Sequence, residues 1–363
     1  MEVLFSMIKR ATAALLLVCC LLCALPAGAQ MQKFSTYFMD SFDTVTTLIG
    51  YCEDQETFDT WAQAAHDMML YLHKLYDKYN SYEDEGIVNI HTLNQRAAAE
   101  PVPVDDLLFS LLSFAKSNYA LCQDQTNIAM GSVLSIWHDY REMGLSDPAN
   151  ASLPPMELLE SAQAHTSIDD LVLDPENKTV YFADPQLQLD VGAVAKGYAA
   201  EIVAKALLSS DMPSFILSAG GNVRVGDKPQ DGRKAWGIGI QDPDGALLNT
   251  SDIVETFFIS NVSVVTSGDY QRYYTVDGKN YHHLIDPDTL MPGDHFRAVS
   301  ILTEDSGLAD MLSTAAYLMP YEESRAFVES LDGVEALWIL PDGSIEMTDG
   351  AYVLSRTGGA TSK

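Results

Sequence analysis

The sequence predicts an α+β fold in which helices pack on largely antiparallel sheets. Apolar residues recur at helical spacing over 56–80 and 105–122. The later part of the chain instead shows short alternating strands separated by turn residues. Strands and helices do not alternate regularly, so a doubly wound parallel sheet fits poorly. We therefore expect one domain over 30–355, helix-rich over 30–168 and sheet-rich over 169–355.

The individual elements follow from local patterns. A β-rich stretch, FDTVTTLIGY, precedes the first helix. Residues 126–141 predict a loop that runs into a short helix, and 152–165 predict another short helix after two prolines. Asp-Gly pairs at 277–278 and 342–343 predict two hairpin turns. A last apolar helix is LADMLSTAAYLM. The other predicted strands are KTVYFAD, LQLD, SFILSAGG, AWGIGIQDP, VETFFIS and AVSILTED.

The two ends of the chain have separate signatures. Residues 1–29 combine Lys9 and Arg10 with a long apolar run that closes on Ala-Gly-Ala, the pattern of a secretion signal cleaved after Ala29. We therefore expect an exported protein, periplasmic or otherwise extracytoplasmic, without a convincing lipoprotein box. The small polar residues 356–363 predict a flexible tail. Two cysteines remain in the mature chain, Cys52 and Cys122, and they could pair in an oxidising compartment or stay free.

The charge of the chain limits its partners. Its 363 residues include 51 acidic and 21 basic ones, giving a net charge of −30. Removing 1–29 takes away one net positive charge and leaves −31. Such a surface repels phosphate backbones and anionic lipid, so nucleic acid is not an expected partner. A nucleotide ligand would need a bridging metal ion.

Glycine-containing turns supply candidate phosphate contacts. In DVGAVAKGYAA, a strand leads through Gly192 to a helix near Lys196, so backbone amides and the lysine could face an anion. A plain tight turn with a surface lysine is the alternative. Asp190 could reach a sugar or base edge, or cap the turn. Gly220 and Gly221 follow an apolar strand and indicate a bulge or a close backbone approach.

A further pair of segments carries candidate catalytic groups. Ser267 follows an apolar strand, where it could bind a ligand or form a turn. His282 and His283 are adjacent on a strand and face opposite sides, so only one can serve a given site as a general base. Asp310, Ser313 and Thr314 share one stripe of a helix and present oxygen, which suits Mg²⁺. Polar groups satisfied within a buried helix are the alternative.

These segments, in this order, resemble the blocks of the FAD:protein FMN transferase (ApbE) family. The resemblance runs from Phe42 to Met319 through DVGAVAKGYAA, SAGGNVRVGDK, VVTSGDYQRYY, YHHLIDPDTLMP and DSGLADMLSTAAYLM. It implies an ApbE-like, T-fold-like architecture and an exported, magnesium-dependent enzyme. Such enzymes cleave FAD, release AMP and attach FMN through a phosphoester to a threonine of a partner protein, typically a subunit of a membrane redox complex.

The resemblance also implies roles for particular residues. Asp310 and Thr314 would be side-chain metal ligands, with Ser313 nearby and Ala193 contributing its backbone carbonyl. His283 would assist the acceptor hydroxyl, so His283 and Asp310 are the expected catalytic residues. The expected flavin-nucleotide contacts are Phe42, Asn127, Ile128, Ala129, Asp190, Lys196, Gly220, Gly221, Ser267, His283 and Leu284.

The partner and the departures from the family pattern follow from the same comparison. The acceptor would carry a Ser/Thr-Gly-Ala-Thr type motif. In this chain, Gly359-Ala360-Thr361 resembles the core of that motif. Leu290 stands where the family usually has glycine, and Asn127 where it commonly has aspartate. Two alternatives to a transferase stay open: a magnesium-dependent FAD pyrophosphatase that yields FMN and AMP, and a secreted FAD-binding protein without turnover.

Overall fold

An antiparallel sheet of eight strands organises the molecule, which the computed structural model describes over residues 31–245, 252–270 and 272–363. The predicted signal segment 1–29 lies outside these residues. Strands and helices are numbered in chain order. The spatial order of the large sheet is β1 (Gln32–Ser41), β2 (Thr44–Cys52), β6 (Phe215–Ala219), β7 (Asn222–Val225), β10 (Ser263–Gly268), β13 (Ala298–Thr303), β14 (Glu335–Ile339) and β15 (Ile345–Met347).

Three small sheets accompany the large one. One hairpin joins β8 (Trp236–Gln241) to β9 (Ile253–Ile259), and another joins β11 (Tyr273–Val276) to β12 (Lys279–His282). The third sheet has the order β3 (Val102–Pro103), β5 (Thr179–Phe182) and β4 (Leu171–Asp174). Every pairing between these named strands is antiparallel, which confirms the predicted α+β class.

The described residues form helices of very different lengths, joined by short 3₁₀ turns at 83–85, 148–150 and 168–170. Among them, no helix is both apolar enough and long enough to cross a bilayer. The helices are α1 (Gln55–Tyr76), α2 (Ile90–Arg96), α3 (Asp106–Asn118), α4 (Gly131–Ser146), α5 (Met156–Gln163), α6 (Ala195–Leu208), α7 (Ser306–Leu318), α8 (Tyr321–Glu329) and α9 (Asp349–Leu354).

Three apolar clusters bind the two halves of the chain into one fold. The largest lies between one face of the large sheet and α1, α3, α6 and α7, with Met69, Leu217 and Leu312 fully buried. The β8–β9 hairpin covers part of the opposite face. The third cluster packs α4 and α5 against the β11–β12 hairpin through Trp137 and Tyr274. Helices from the N-terminal half thus pack on strands from the C-terminal half.

Helices α6 and α7 pack unusually closely because Gly197 has no side chain. A Cβ atom at Gly197 would lie 2.6 Å from the Cβ of Asp310. A second contact fixes the same pair of helices, since the buried Glu201 carboxylate accepts the Ser306 amide at 3.0 Å and the Arg224 Nε at 3.0 Å. These contacts set the register of α7 against α6, and both helices carry predicted site residues.

The predicted strand LQLD is wrong. Residues 187–190 are extended but form only one isolated bridge, from Gln188 to Met130. The side chain of Asn94 replaces a neighbouring strand, because its Oδ1 accepts the Leu189 amide at 2.7 Å and its Nδ2 donates to the Leu189 carbonyl at 3.0 Å. Sequence periodicity contains no information about a side chain that hydrogen-bonds to a backbone segment far away in the chain.

Other local predictions fared better. The Asp277-Gly278 turn is confirmed, with both residues at positive φ and β11 paired to β12. The helix over 308–319 is confirmed as α7, and the segment after residue 126 forms a helix of 16 residues that is longer than expected. Strand β1 and helices α2 and α8 were not predicted from the sequence.

The cysteines and the C-terminal residues also have defined positions. Cys52 and Cys122 are buried free thiols. Burial raises the pKa of Cys52 to about 11 and that of Cys122 to about 12, so both stay neutral. In the segment expected to be a flexible tail, Arg356 donates its amide to Thr256 at 2.9 Å, and Lys234 donates to the Ser362 carbonyl at 2.8 Å. Thr361 is exposed.

Replacing Asn94 by leucine tests whether its side chain stabilises the Leu189 backbone in place of a neighbouring strand. The change removes both partners of the buried Leu189 backbone, so we expect the free energy of unfolding to fall by about 2 kcal/mol. Urea denaturation followed by circular dichroism would measure it. The exposed neighbour Gln95→Leu is the control and should change stability by less than about 0.5 kcal/mol. Equal effects of the two substitutions would contradict the assignment.

Candidate active site

A cleft of about 1020 Å³ lies where α6, α7, the β1–β2 turn and the β11–β12 hairpin meet. Most residues singled out from the sequence line it, although they come from segments far apart in the chain. Those lining the cleft are Phe42, Asn127, Asp190, Ala193, Lys196, Gly220, Gly221, Ser267, His283, Leu284, Asp310 and Thr314.

Three of the expected site residues lie behind the cleft wall. Ile128, Ala129 and Ser313 are almost fully buried and do not line the cavity. The Ile128 carbonyl accepts the Asp190 amide at 2.8 Å. Ser313 donates its hydroxyl to the Asp310 carbonyl at 2.9 Å and lies 2.8 Å from the Ser267 hydroxyl. These residues hold the wall in place.

Asn127 and Leu290, the two departures from the family pattern, both take part in hydrogen bonds that stabilise the local backbone. Asn127 donates to the Thr166 carbonyl at 2.9 Å and accepts the Ala129 amide at 2.8 Å, so its side chain shapes the loop. Leu290 has φ of +60°, the left-handed conformation that glycine adopts readily. Its carbonyl accepts the Trp137 indole N–H at 2.9 Å, which helps to hold this conformation.

Asp310 projects from the first turns of α7, a helix that begins at a capping aspartate, Asp305, whose side chain accepts the Leu308 amide at 3.0 Å. The Asp310 Oδ2 accepts the Gly197 amide at 2.8 Å. Burial raises the pKa of Asp310, while the charge of Lys196 and the Gly197 hydrogen bond oppose the rise. Because the nearby charge and hydrogen bond do not fully offset the cost of burying this carboxylate, a cation bound beside it would be favourable.

A backbone oxygen is free just before α6. Ala193 precedes the N-cap residue Val194, and Gly197 is the third residue of the helix, so its amide has no carbonyl acceptor within the helix. Here that amide donates to Asp310, and the Ala193 carbonyl accepts no backbone hydrogen bond from the described residues. Ala193 lines the cleft, so its carbonyl is an available acceptor.

The donor set at this end of the cleft fits a hard cation. It comprises the Asp310 carboxylate, the Thr314 hydroxyl and the Ala193 carbonyl, with the Ser267 hydroxyl 3.4 Å from that of Thr314. Within 31–245, 252–270 and 272–363, no three histidine, cysteine or acidic side chains are grouped to hold a metal ion. One carboxylate with neutral oxygens suits Mg²⁺, which retains water and takes substrate phosphate oxygens.

Asp190 has a partner that the sequence did not indicate. Lys78, which follows α1, pairs with its Oδ2 at 2.7 Å, and the Gly192 amide donates to its Oδ1 at 2.8 Å. Burial by itself raises the pKa of Asp190, but Lys78 outweighs burial and the net shift is downward. Asp190 is therefore ionised and held in a fixed orientation.

The two adjacent histidines have different surroundings. His282 Nε2 lies 2.7 Å from the Gly293 carbonyl, and His282 Nδ1 accepts the Leu284 amide at 3.2 Å, so both nitrogens are engaged. His283 lines the cleft, and its buried Nδ1 has no hydrogen-bond partner among the residues that the structure describes. Burial lowers the pKa of His283 to about 3, and the charge of Arg272 is the next largest cause. His283 is therefore neutral at pH 7.

Several residues that line the cleft were missed from the sequence. Most of them come from elements that no local motif connects to the site. Arg272 and Tyr281 instead stand inside stretches quoted above, VVTSGDYQRYY and YHHLIDPDTLMP, and could have been found there. The missed residues include Lys78, Tyr79, Trp137, His138, Arg141, Arg272 and Tyr281.

Solved structures share this architecture. The ApbE protein of Thermotoga maritima superposes with a TM-score of 0.76 and 27% identity, over 89% of this chain and 99% of that one. The flavin transferase ApbE of Vibrio cholerae superposes with a TM-score of 0.70 over 88% of this chain and 97% of that one; at 21% identity this likeness concerns the fold alone.

Sequence comparison gives the family. The ApbE family model matches residues 42–338. The FAD:protein FMN transferase of Treponema pallidum is 34% identical over 267 residues, which cover 71% of this chain and 72% of that protein. The enzyme of the same name from Klebsiella pneumoniae is 27% identical, over 77% of this chain and 85% of that protein. The chain belongs to the ApbE family, which confirms the resemblance inferred from the sequence.

The state of His283 can be tested through the pH dependence of stability. Its pKa is lower in the folded protein than the ordinary 6.5, so the unfolded chain binds its proton more readily. The contribution of His283 is therefore complete above about pH 6.5 and falls towards pH 3. We expect the wild type to lose more stability than His283→Phe between pH 7.5 and 5, measured by urea denaturation.

His66→Phe supplies a control of opposite sign. The pKa of His66 is raised, chiefly by its hydrogen bond to Asp40, so its contribution is present at low pH and is lost as pH rises. Relative to this variant, the wild type should gain stability between pH 7.5 and 5. Identical pH profiles for the wild type and His283→Phe would contradict the buried, neutral state of His283.

Proposed function

We propose that this protein is a magnesium-dependent FAD:protein FMN transferase. It cleaves FAD, releases AMP and attaches FMN through a phosphoester to a threonine of an acceptor protein. One observation carries the proposal: a neutral histidine with no partner, His283, shares a cleft with a hard-cation donor set centred on Asp310. Family membership and the names of the relatives support the reaction class.

The chemistry needs a base, a leaving group and charge compensation. His283 takes the proton of the acceptor hydroxyl at Nε2, since Nδ1 is enclosed. The hydroxyl oxygen forms a bond to the flavin-side phosphorus while the bond from that phosphorus to the bridging oxygen breaks. AMP leaves with the electron pair of the broken bond. Because burial lowers its pKa, His283 is unprotonated at neutral pH, which leaves Nε2 without a proton.

The oxygen donors would hold the metal. Asp310, Thr314 and the Ala193 carbonyl are the proposed ligands, and Mg²⁺ would supply neutralisation of the pyrophosphate charge. This compensation matters in a protein whose net charge is −30. The Gly197 amide orients the Asp310 carboxylate, and Lys196 adds a positive charge beside it.

The remaining contacts and the cellular setting extend the proposal. Asp190, Phe42, Gly220, Gly221 and Leu284 would contact the flavin nucleotide, since all line the cleft. Asn127 and Ser267 would contribute from the same wall. The protein would act outside the cytoplasm after removal of 1–29, on an acceptor with a Ser/Thr-Gly-Ala-Thr motif, such as a membrane redox-complex subunit.

The reaction can be tested with the mature protein, FAD, Mg²⁺ and a domain that carries a Ser/Thr-Gly-Ala-Thr segment. We expect intact mass spectrometry to find one FMN on the acceptor threonine and an equal amount of AMP. EDTA should stop both. Asp310→Asn should lower the rate by at least about a hundredfold, because it removes the charged donor.

Asp305→Asn is the matched control on the same helix, since asparagine still caps α7. Its rate should stay close to that of the wild type. Free FMN and AMP without an adduct would favour the pyrophosphatase instead. Unchanged FAD with Mg²⁺ and acceptor present would contradict catalysis and favour an FAD-binding protein.

A further inference from the structure

The cleft concentrates positive charge in a strongly acidic protein. The chain has only 21 lysines and arginines against 51 acidic residues, yet Lys78, Arg141, Lys196 and Arg272 all line this one cavity. Clefts that collect one sign of charge attract ligands of the opposite sign. A cation that is paired with a carboxylate of the protein stabilises the fold, whereas an unpaired cation is available to a ligand.

Carboxylate partners separate the four. Lys78 pairs with Asp190 at 2.7 Å, and Arg141 pairs with Glu142 at 3.1 Å. Lys196 and Arg272 form no salt bridge with any residue in the described parts of the chain. Lys196 was already expected at the nucleotide, whereas Arg272 has no assigned role. An exposed arginine without a carboxylate partner leaves its donors available to an anion.

Strand register places Arg272 beside His283. In the β11–β12 hairpin, Tyr273 pairs with His282. Arg272 and His283 are the residues directly beyond this outermost pair, so their backbones lie side by side at the open end of the hairpin. Both line the cleft. Consistent with this proximity, the charge of Arg272 lowers the pKa of both His283 and Lys196.

The chemistry of the guanidinium group indicates the ligand. Its planar set of donors matches the oxygens of a phosphate in a bidentate arrangement, which a lysine ammonium cannot reproduce. The group beside His283 must be the phosphate under attack, because His283 takes the proton of the attacking hydroxyl. An arginine at this position would therefore contact the same phosphate.

We propose that Arg272 is a further catalytic residue that binds the phosphate transferred from FAD, beside His283 at the open end of the hairpin. This inference rests on the proposed function. Arg272 donates hydrogen bonds to the non-bridging oxygens of the flavin-side phosphate and keeps its own proton. The new bond joins that phosphorus to the acceptor oxygen, the bond to the bridging oxygen breaks, and AMP takes the electron pair. The hydroxyl proton goes to His283.

The test compares Arg272→Met and Arg272→Lys in the full mature protein. For Arg272→Met we expect kcat for AMP release to fall by about a hundredfold, with a smaller change in the KM for FAD. Arg272→Lys should recover only part of the loss, because it restores charge without the bidentate geometry. Added guanidinium ion should raise the rate of Arg272→Met and leave the wild type unchanged. A merely structural role would not produce this rescue.

Lys279→Met is the matched control, because Lys279 is an exposed cation on the same hairpin that does not line the cleft. It should retain the wild-type rate. A wild-type kcat in Arg272→Met, or an equal loss in Lys279→Met, would overturn the inference. Circular dichroism and thermal melting would identify a folding defect, in which case Arg272→Gln replaces the methionine variant.

A separate binding experiment distinguishes this inference from the proposed function. If the wild type releases no AMP from FAD, the proposed function fails, but calorimetric titration with inorganic pyrophosphate still examines Arg272. Affinity at least about tenfold weaker in Arg272→Met than in the wild type would support a phosphate-binding role. Equal affinities, or no pyrophosphate binding by the wild type, would overturn it.

Discussion

The hydrogen bond from the Gly197 amide to Asp310 is the contact on which the candidate site depends. It requires α6 and α7 to approach so closely that only glycine fits at position 197. It orients a buried carboxylate towards the cleft, and it satisfies an amide of the first turn of α6 that has no acceptor within the helix. Glu201 fixes the same two helices at Ser306. The close helix pair thus brings Asp310 of α7 beside the turn that carries Ala193, although the two residues are far apart in the sequence.

Electrostatics divides the cleft into two regions. Around Asp190, positive and negative side chains neutralise each other, so that region is oriented but carries little net charge. Around His283, the cations Lys196 and Arg272 lack carboxylate partners among the described residues, and Asp310 supplies the opposing charge. Burial is the main cause of the low pKa of His283, and the charges of Arg272 and Lys196 add to it. In the proposed function, the cations that would attract phosphate thus also help to keep the proposed base neutral.

Much of the fold could be predicted because periodicity reports burial directly. The helix at 308–319 and the hairpin at Asp277-Gly278 have strong local signals, and both are present. The strand expected at 187–190 is absent because the side chain of Asn94, far away in sequence, satisfies its backbone. Sequence patterns identify which residues are apolar, but they do not identify a distant side chain that takes the place of a strand.

By itself, the sequence determined the antiparallel α+β class, the family, and a set of site residues most of which line the cleft, since short motifs can be recognised without knowledge of the fold. Tertiary structure alone decided how those residues are positioned. It engages His282 with the Gly293 carbonyl, whereas His283 lines the cleft without such a contact among the described residues. It placed Ser313 behind the wall, paired Asp190 with Lys78, and brought Arg272 and His283 together at the open end of one hairpin. These outcomes depend on distances between segments remote in the chain, and such distances are set by packing.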